Sequence, residues 1–191
     1  MCTLSVVKGM KLKMENEKIL EILYGERKDY KGTGIMRDLL ADNEEFKNII
    51  LEGIKLGKIL GFDDELWDKI DSQNIRGINT FLDVFKEGAN LGYCTVAAKQ
   101  LSYSFPNDCR IAGGVVDYLQ GTKNSEDGSH TWIVWNGKIY DTTFMLSIDL
   151  EFANKLKYIQ ENIYNPLDDD NYCATKEFTN DPTINPGRKS K

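Results

Sequence analysis

The chain has 191 residues, 41% of them hydrophobic, and 24 Lys and Arg against 30 Asp and Glu give a formal charge of −6. That is enough apolar material for one core in a single domain. The acidic balance and the lack of a basic stripe argue against nucleic-acid and anionic-membrane partners, which are held mainly by clustered Lys and Arg. Met1 to Met14 hold apolar runs too short for a signal-peptide core or a membrane span, so the expected location is the cytoplasm. The four cysteines, Cys2, Cys94, Cys109 and Cys173, lie far apart with no C-x-x-C pair. Neither a zinc site nor a disulfide scaffold is indicated, and no cofactor is expected. A single Cys109–Cys173 bridge stays open.

The first predicted helix covers Glu15 to Tyr24, with Ile19, Leu20, Ile22 and Leu23 at helical intervals and Gly25 as a stop. Asp29 to Gly34 reads as a turn, because Lys31-Gly32-Thr33-Gly34 lacks the rest of a phosphate-loop fingerprint. A helix follows from Asp42, whose side chain and Glu45 resemble a capping box, and its core face is Phe46, Ile49, Ile50 and Ile54. Asp64 to Ile70 is a short helix with Leu66, Trp67 and Ile70 inward. Residues 1–75 therefore read as a helical subdomain of one domain spanning 1–191.

Residues 76–165 change character. A helical turn at Phe81 to Phe85 and a small-residue loop, Gly88 to Gly92, lead to a helix that opens at Cys94. It carries Val96, Ala97, Leu101 and Phe105 on one face and is ended by Pro106. Ile111 to Leu119 reads as a buried strand in which Gly113-Gly114 lets a neighbour approach the backbone. Asn136-Gly137, between two runs of aromatic and β-branched residues, predicts a hairpin with a type I′ turn. Leu150 to Tyr164 is predicted as a last helix. Residues 166–191, with Pro166, Pro182 and Pro186, read as a loop-like tail.

A two-residue turn at Asn136-Gly137 sets Trp132 opposite Asp141 and His130 opposite Thr143. His130, Trp132, Asp141 and Thr143 then share one face, with His130 and Asp141 as diagonal neighbours at about 7–8 Å between backbones, within reach of one hydrogen bond. Cys94 in the first turn of its helix would sit at the positive end of the helix dipole, which favours a thiolate. The three residues suit a nucleophile, a base and an orienting acid. Each also has a plain alternative, as a buried thiol, an ordinary strand histidine and a strand-edge carboxylate. The Cys94 amide is a natural oxyanion donor. A second donor is expected from Gln73, Asn79, Asn90 or Tyr93, and Trp132 is a candidate lining residue.

Gly92-Tyr93-Cys94, an amphipathic helix, a strand, His130-Thr131-Trp132-Ile133-Val134 and Asn136-Gly137-Lys138-Ile139-Tyr140-Asp141 together resemble the core pattern of transglutaminase-like proteins. That family belongs to the papain-like superfamily. The resemblance spans about Gly88 to Leu146 and implies nucleophile, base and orienting roles for Cys94, His130 and Asp141. Classical papain proteases place the histidine about 130 residues after the cysteine, far more than here. Arylamine N-acetyltransferases share the order of the three residues, but the arginine-glycine run they carry before the cysteine is missing. The expected fold is α+β, a papain-like/transglutaminase-like core with the nucleophile helix on an antiparallel sheet and helices before it. The expected function is acyl transfer or amide hydrolysis on a protein, peptide or small amide. A cysteine protease or deamidase, and a silent binding module with a vestigial triad, are the alternatives.

Overall fold

A computed structural model describes residues 15–29, 33–72, 94–122 and 127–166. The fold is α+β, with helices flanking one six-stranded antiparallel sheet. Helix α1 covers 15–24 and buries Ile19, Leu20, Leu23 and Tyr24, while Ile22 faces outward. Gly25 adopts positive φ at its end and starts a 3-10 turn, Gly25–Asp29. Helix α2, Gly34–Asp42, was not anticipated from the sequence, although Ile35, Met36, Leu39 and Leu40 form its buried stripe. Helix α3, Glu44–Lys55, is capped by Asn43 rather than Asp42, because the Asn43 side chain accepts from the Phe46 amide and Asp42 already closes α2. Asp63 caps α4, Asp64–Ser72, by accepting from the Leu66 amide.

The amino-terminal part is not purely helical. Strand β1, Ile59–Gly61, pairs with β5, Leu146–Asp149, and forms one edge of the sheet. Three residues are too few to display a period of two, so the sequence gives no sign of it. Gly61 is required there, since a Cβ would lie 1.6 Å from the Leu23 carbonyl oxygen of α1.

The strand order is β1-β5-β4-β3-β2-β6. Helix α5, Cys94–Ser102, precedes β2, Arg110–Val116, and a 3-10 turn, Asp117–Leu119. Strands β3, Ser129–Trp135, and β4, Lys138–Asp141, form the hairpin. Asn136 and Gly137 have φ of 49° and 73°, as a type I′ turn requires, and Ile133 lies opposite Tyr140 in the expected register.

The segment 150–164 is not one helix. Helix α6, Leu150–Lys155, is short, Lys157 turns the chain at φ 57°, and β6, Tyr158–Tyr164, pairs with β2. The run Tyr158-Ile159-Gln160-Glu161-Asn162-Ile163-Tyr164 is better satisfied by pairing with β2 than by extending a helix whose buried stripe ends at Leu156. Its backbone closes on Gly114 at a bulge, where a Cβ would sit 2.0 Å from the Ile159 carbonyl oxygen.

Aromatic side chains divide between the two sheet faces. Trp132, Tyr158, Phe144, Phe46 and Tyr118 make one cluster, with Trp132 edge-on to Tyr158 at 5.1 Å and Phe46 edge-on to Tyr118 at 5.2 Å. Phe105, Trp135 and Tyr140 make the other, with Phe105 4.7 Å from Tyr140. Helix α5 packs along β3 and β2 on the second side, where Thr95 and Thr131 share a 2.8 Å hydrogen bond. Among the described residues, no helix is long and apolar enough to cross a membrane.

Candidate active site

Asp141 closes β4 and is fully buried. A carboxylate there demands partners, since an unpaired buried charge is costly. It has four. Oδ1 accepts from the amides of Thr143 and Phe144, at 2.7 and 2.9 Å, and so folds the turn that leads into β5. Oδ2 accepts from His130 Nε2 at 2.7 Å and from the Tyr158 hydroxyl at 2.6 Å. Burial opposes ionisation, but His130, Tyr158 and the Phe144 amide outweigh it and hold the carboxyl below the usual range.

His130 comes from β3, directly across from Gly114 of β2. Its ring is buried, 6.1 Å from Trp132 and 6.3 Å from Phe144, so little water reaches it. Burial alone would depress its basicity. Asp141 and, to a smaller degree, Cys94 reverse that and push it up to about 10, which keeps the ring an imidazolium through neutral pH.

Cys94 is the first residue of α5, half-buried, and within hydrogen-bonding reach of His130 and Thr131. With Nε2 taken by Asp141, Nδ1 is the ring nitrogen left for the thiol. Burial opposes the thiolate, but the hydrogen bond and charge of His130, with help from Thr131, bring the thiol below its ordinary value. Cys94 and Thr95 therefore meet His130 and Thr131 as neighbouring pairs. The result is an acidified thiol, an imidazolium and a carboxylate brought together, with the Cys94 amide at the amino-terminal end of a helix.

Trp132 is buried behind His130 against Tyr158 and does not line an open surface. Gln73, Asn79, Asn90 and Tyr93, together with the helical turn at 81–85 and the loop at 88–92, lie outside the described residues, as do Cys2 and Cys173. Cys109 is a buried free thiol that donates to the Ser102 carbonyl at 3.6 Å, away from this cluster. An open pocket lined by Asp63, Leu66, Phe105, Trp135 and Tyr140 belongs to the other aromatic cluster and contains none of the three residues.

Tyr158, Thr131 and Tyr24 were not singled out from the sequence. Tyr158 falls in the stretch 150–164, whose spacing predicts a helix. Thr131 is adjacent to His130 and could have been found by asking what the helix start faces. Tyr24 of α1 donates to the Phe144 carbonyl at 2.7 Å and so braces the turn whose amides hold Asp141. No sequence signal links two residues so far apart.

Among the described residues, no group of three or more His, Cys, Asp or Glu side chains is arranged to hold a metal ion. No family model matches the chain, and neither a curated protein nor a solved structure matches it.

Proposed function

We propose that the chain is a cysteine-nucleophile enzyme of the transglutaminase-like, papain-like kind, which transfers or hydrolyses an acyl group through a thioester on Cys94. The observation that carries this reading is the continuous line of contacts from Cys94 through His130 to the buried, fourfold-bonded Asp141. The packing of a cysteine-headed helix on an antiparallel sheet, with the histidine and the aspartate on successive strands, supports the same reading.

The chemistry follows from the charges. The Cys94 thiolate attacks the carbonyl carbon of an amide, and the electron pair displaced onto oxygen faces the Cys94 amide. Collapse of that adduct expels the amine, which takes the proton of His130 as it leaves. Water or an acceptor amine then gives a proton to His130, attacks the thioester, and releases the thiolate. Asp141 stays ionised throughout and keeps the imidazole oriented. An amide in a protein, a peptide or a small molecule is the substrate class, and the cytoplasm, where thiols stay reduced, suits the mechanism. Water as acceptor would make the enzyme a protease or deamidase, an amine a transferase.

The test is the rate of Cys94 alkylation between about pH 5 and 9, compared with a His130→Ala variant, with the adduct located by mass spectrometry. Rapid labelling below the ordinary thiol pKa of about 8.5, lost in the variant, is expected. Slow labelling indifferent to His130 would overturn the proposal and favour a binding module with a silent triad.

A further inference from the structure

The geometry points to Tyr158 as a positioning residue that sets the basicity of His130 by sharing the carboxylate oxygen on which His130 depends. This rests on the triad reading above and adds a fourth member to it. The Tyr158 hydroxyl and His130 Nε2 both end on Asp141 Oδ2, at 2.6 and 2.7 Å. An O–H to carboxylate bond of that length is in the range of charge-assisted bonds. Tyr158 is buried, and its ring is fixed edge-on against Trp132, so the hydroxyl has little freedom to turn elsewhere.

Among the described residues, the titratable groups around His130 come from several elements. Asp141 comes from β4, Cys94 from α5 and Tyr158 from β6, and Tyr24 of α1 adds a phenol near the carboxylate. Burial and the charge of Asp141 raise both phenols above their ordinary range, so Tyr158 remains a neutral donor at any pH at which the protein works. A neutral donor beside a carboxylate withdraws part of its negative charge. His130 therefore meets a weaker partner at Oδ2 than an undivided carboxylate would be. That matters for turnover, because an imidazolium held too firmly is a poor acid toward a leaving amine.

The position of Tyr158 follows from the last strand. Tyr158 lies opposite Val116, on the same face as Gly114 and, across β2, His130. Gly114 carries no side chain to come between them, and the close approach of β6 at that bulge brings the phenol onto the carboxylate. A residue that only filled space there would need the ring and not the hydroxyl.

His130 is the only histidine in the chain, so an imidazole NMR titration gives one curve without assignment. Tyr158→Phe is expected to move the midpoint up by about half to one pH unit, because Asp141 regains its full charge. Installing 3-fluorotyrosine at position 158, a stronger donor of nearly the same shape, is expected to move it down. Opposite shifts support the proposal, and unchanged midpoints or shifts of one sign overturn it. If Tyr158→Phe does not fold, the fluorinated protein alone decides, by a downward shift or none. The titration is read at the imidazole and not by labelling the thiol, and the same pair of shifts is expected in a Cys94→Ala background, so an inert Cys94 in the native protein would defeat the triad reading and leave the Tyr158 result to stand or fall separately.

Discussion

Helix α5 and the turn that follows it carry two free thiols with opposite fates. Cys109, past the end of the helix, is buried, donates to the Ser102 carbonyl, and has its pKa raised by burial, with Arg110 opposing and Asp108 adding to it. Cys94, at the helix start, also loses water, yet His130 and Thr131 more than restore what burial removes, and the thiol is lowered. Desolvation is common to both. What separates an inert thiol from a nucleophile is whether a cation and hydrogen-bond donors face the sulfur once the water has gone.

Deleting each thiol in turn should give the largest contrast between them. Cys94→Ala is expected to lower acyl turnover, followed with p-nitrophenyl acetate, by about four orders of magnitude or more, and Cys109→Ala to leave it within about twofold. A measurable loss in the Cys109 variant without a loss of folded protein would mean that the two thiols act together. Next in size is labelling at neutral pH, where Cys94 should outpace Cys109 by about 100-fold in the native protein and match it in urea. His130→Ala should close most of that native gap.

Stability provides a smaller effect. Asp141→Ala strands an imidazolium, a phenol and two amides, and should cost about 3–5 kcal/mol in urea unfolding. Cys109→Ala should cost about 1 kcal/mol, the loss of a small buried group. Equal losses would show that Asp141 is no more important to the fold than an ordinary core residue.

The subtlest expectation concerns pH. His130 is raised from 6.5 to about 10, so its stabilisation is complete below 6.5 and is lost as pH rises toward 10. Cys94 is lowered from 9.0, so its stabilisation is complete above 9.0 and is lost as pH falls toward its depressed value. Between the lowered Cys94 value and 9.0 the two slopes oppose each other. Native stability should be nearly level there, while a Cys94→Ala variant should lose stability steadily from about 6.5 upward. Parallel curves for the two proteins would refute the ion pair.

The hairpin and its His130–Asp141 diagonal were legible because an Asn-Gly turn fixes register, and register fixes which side chains meet. The Cys94 helix start was legible from the apolar spacing after it. The carboxyl-terminal strand was not, because Leu150 to Leu156 is amphipathic with a helical period and nothing marks the break. Lys157 takes positive φ without being Gly or Asn, the residues that would have signalled it. That error hid Tyr158, and the three-residue β1 hid the link between the helical start and the sheet. Tyr24 was out of reach for a different reason, since its partner is set only by how distant elements stack.

The bracing of Asp141 from both directions along the chain has a consequence during synthesis. Tyr24 holds the Asp141 turn from early in the chain and Tyr158 holds the carboxylate from late in it. A nascent polypeptide that has emerged through β5 carries Cys94, His130 and Asp141, but not the strand that completes the carboxylate's shell. The Tyr24 contact closes a separation of 120 residues, whereas the Tyr158 contact spans 17 and waits only for β6 to emerge. Synthesis therefore delivers the thiol, the imidazole and the carboxylate first, and the fourth bond to Asp141 is made only when β6 has emerged and docked.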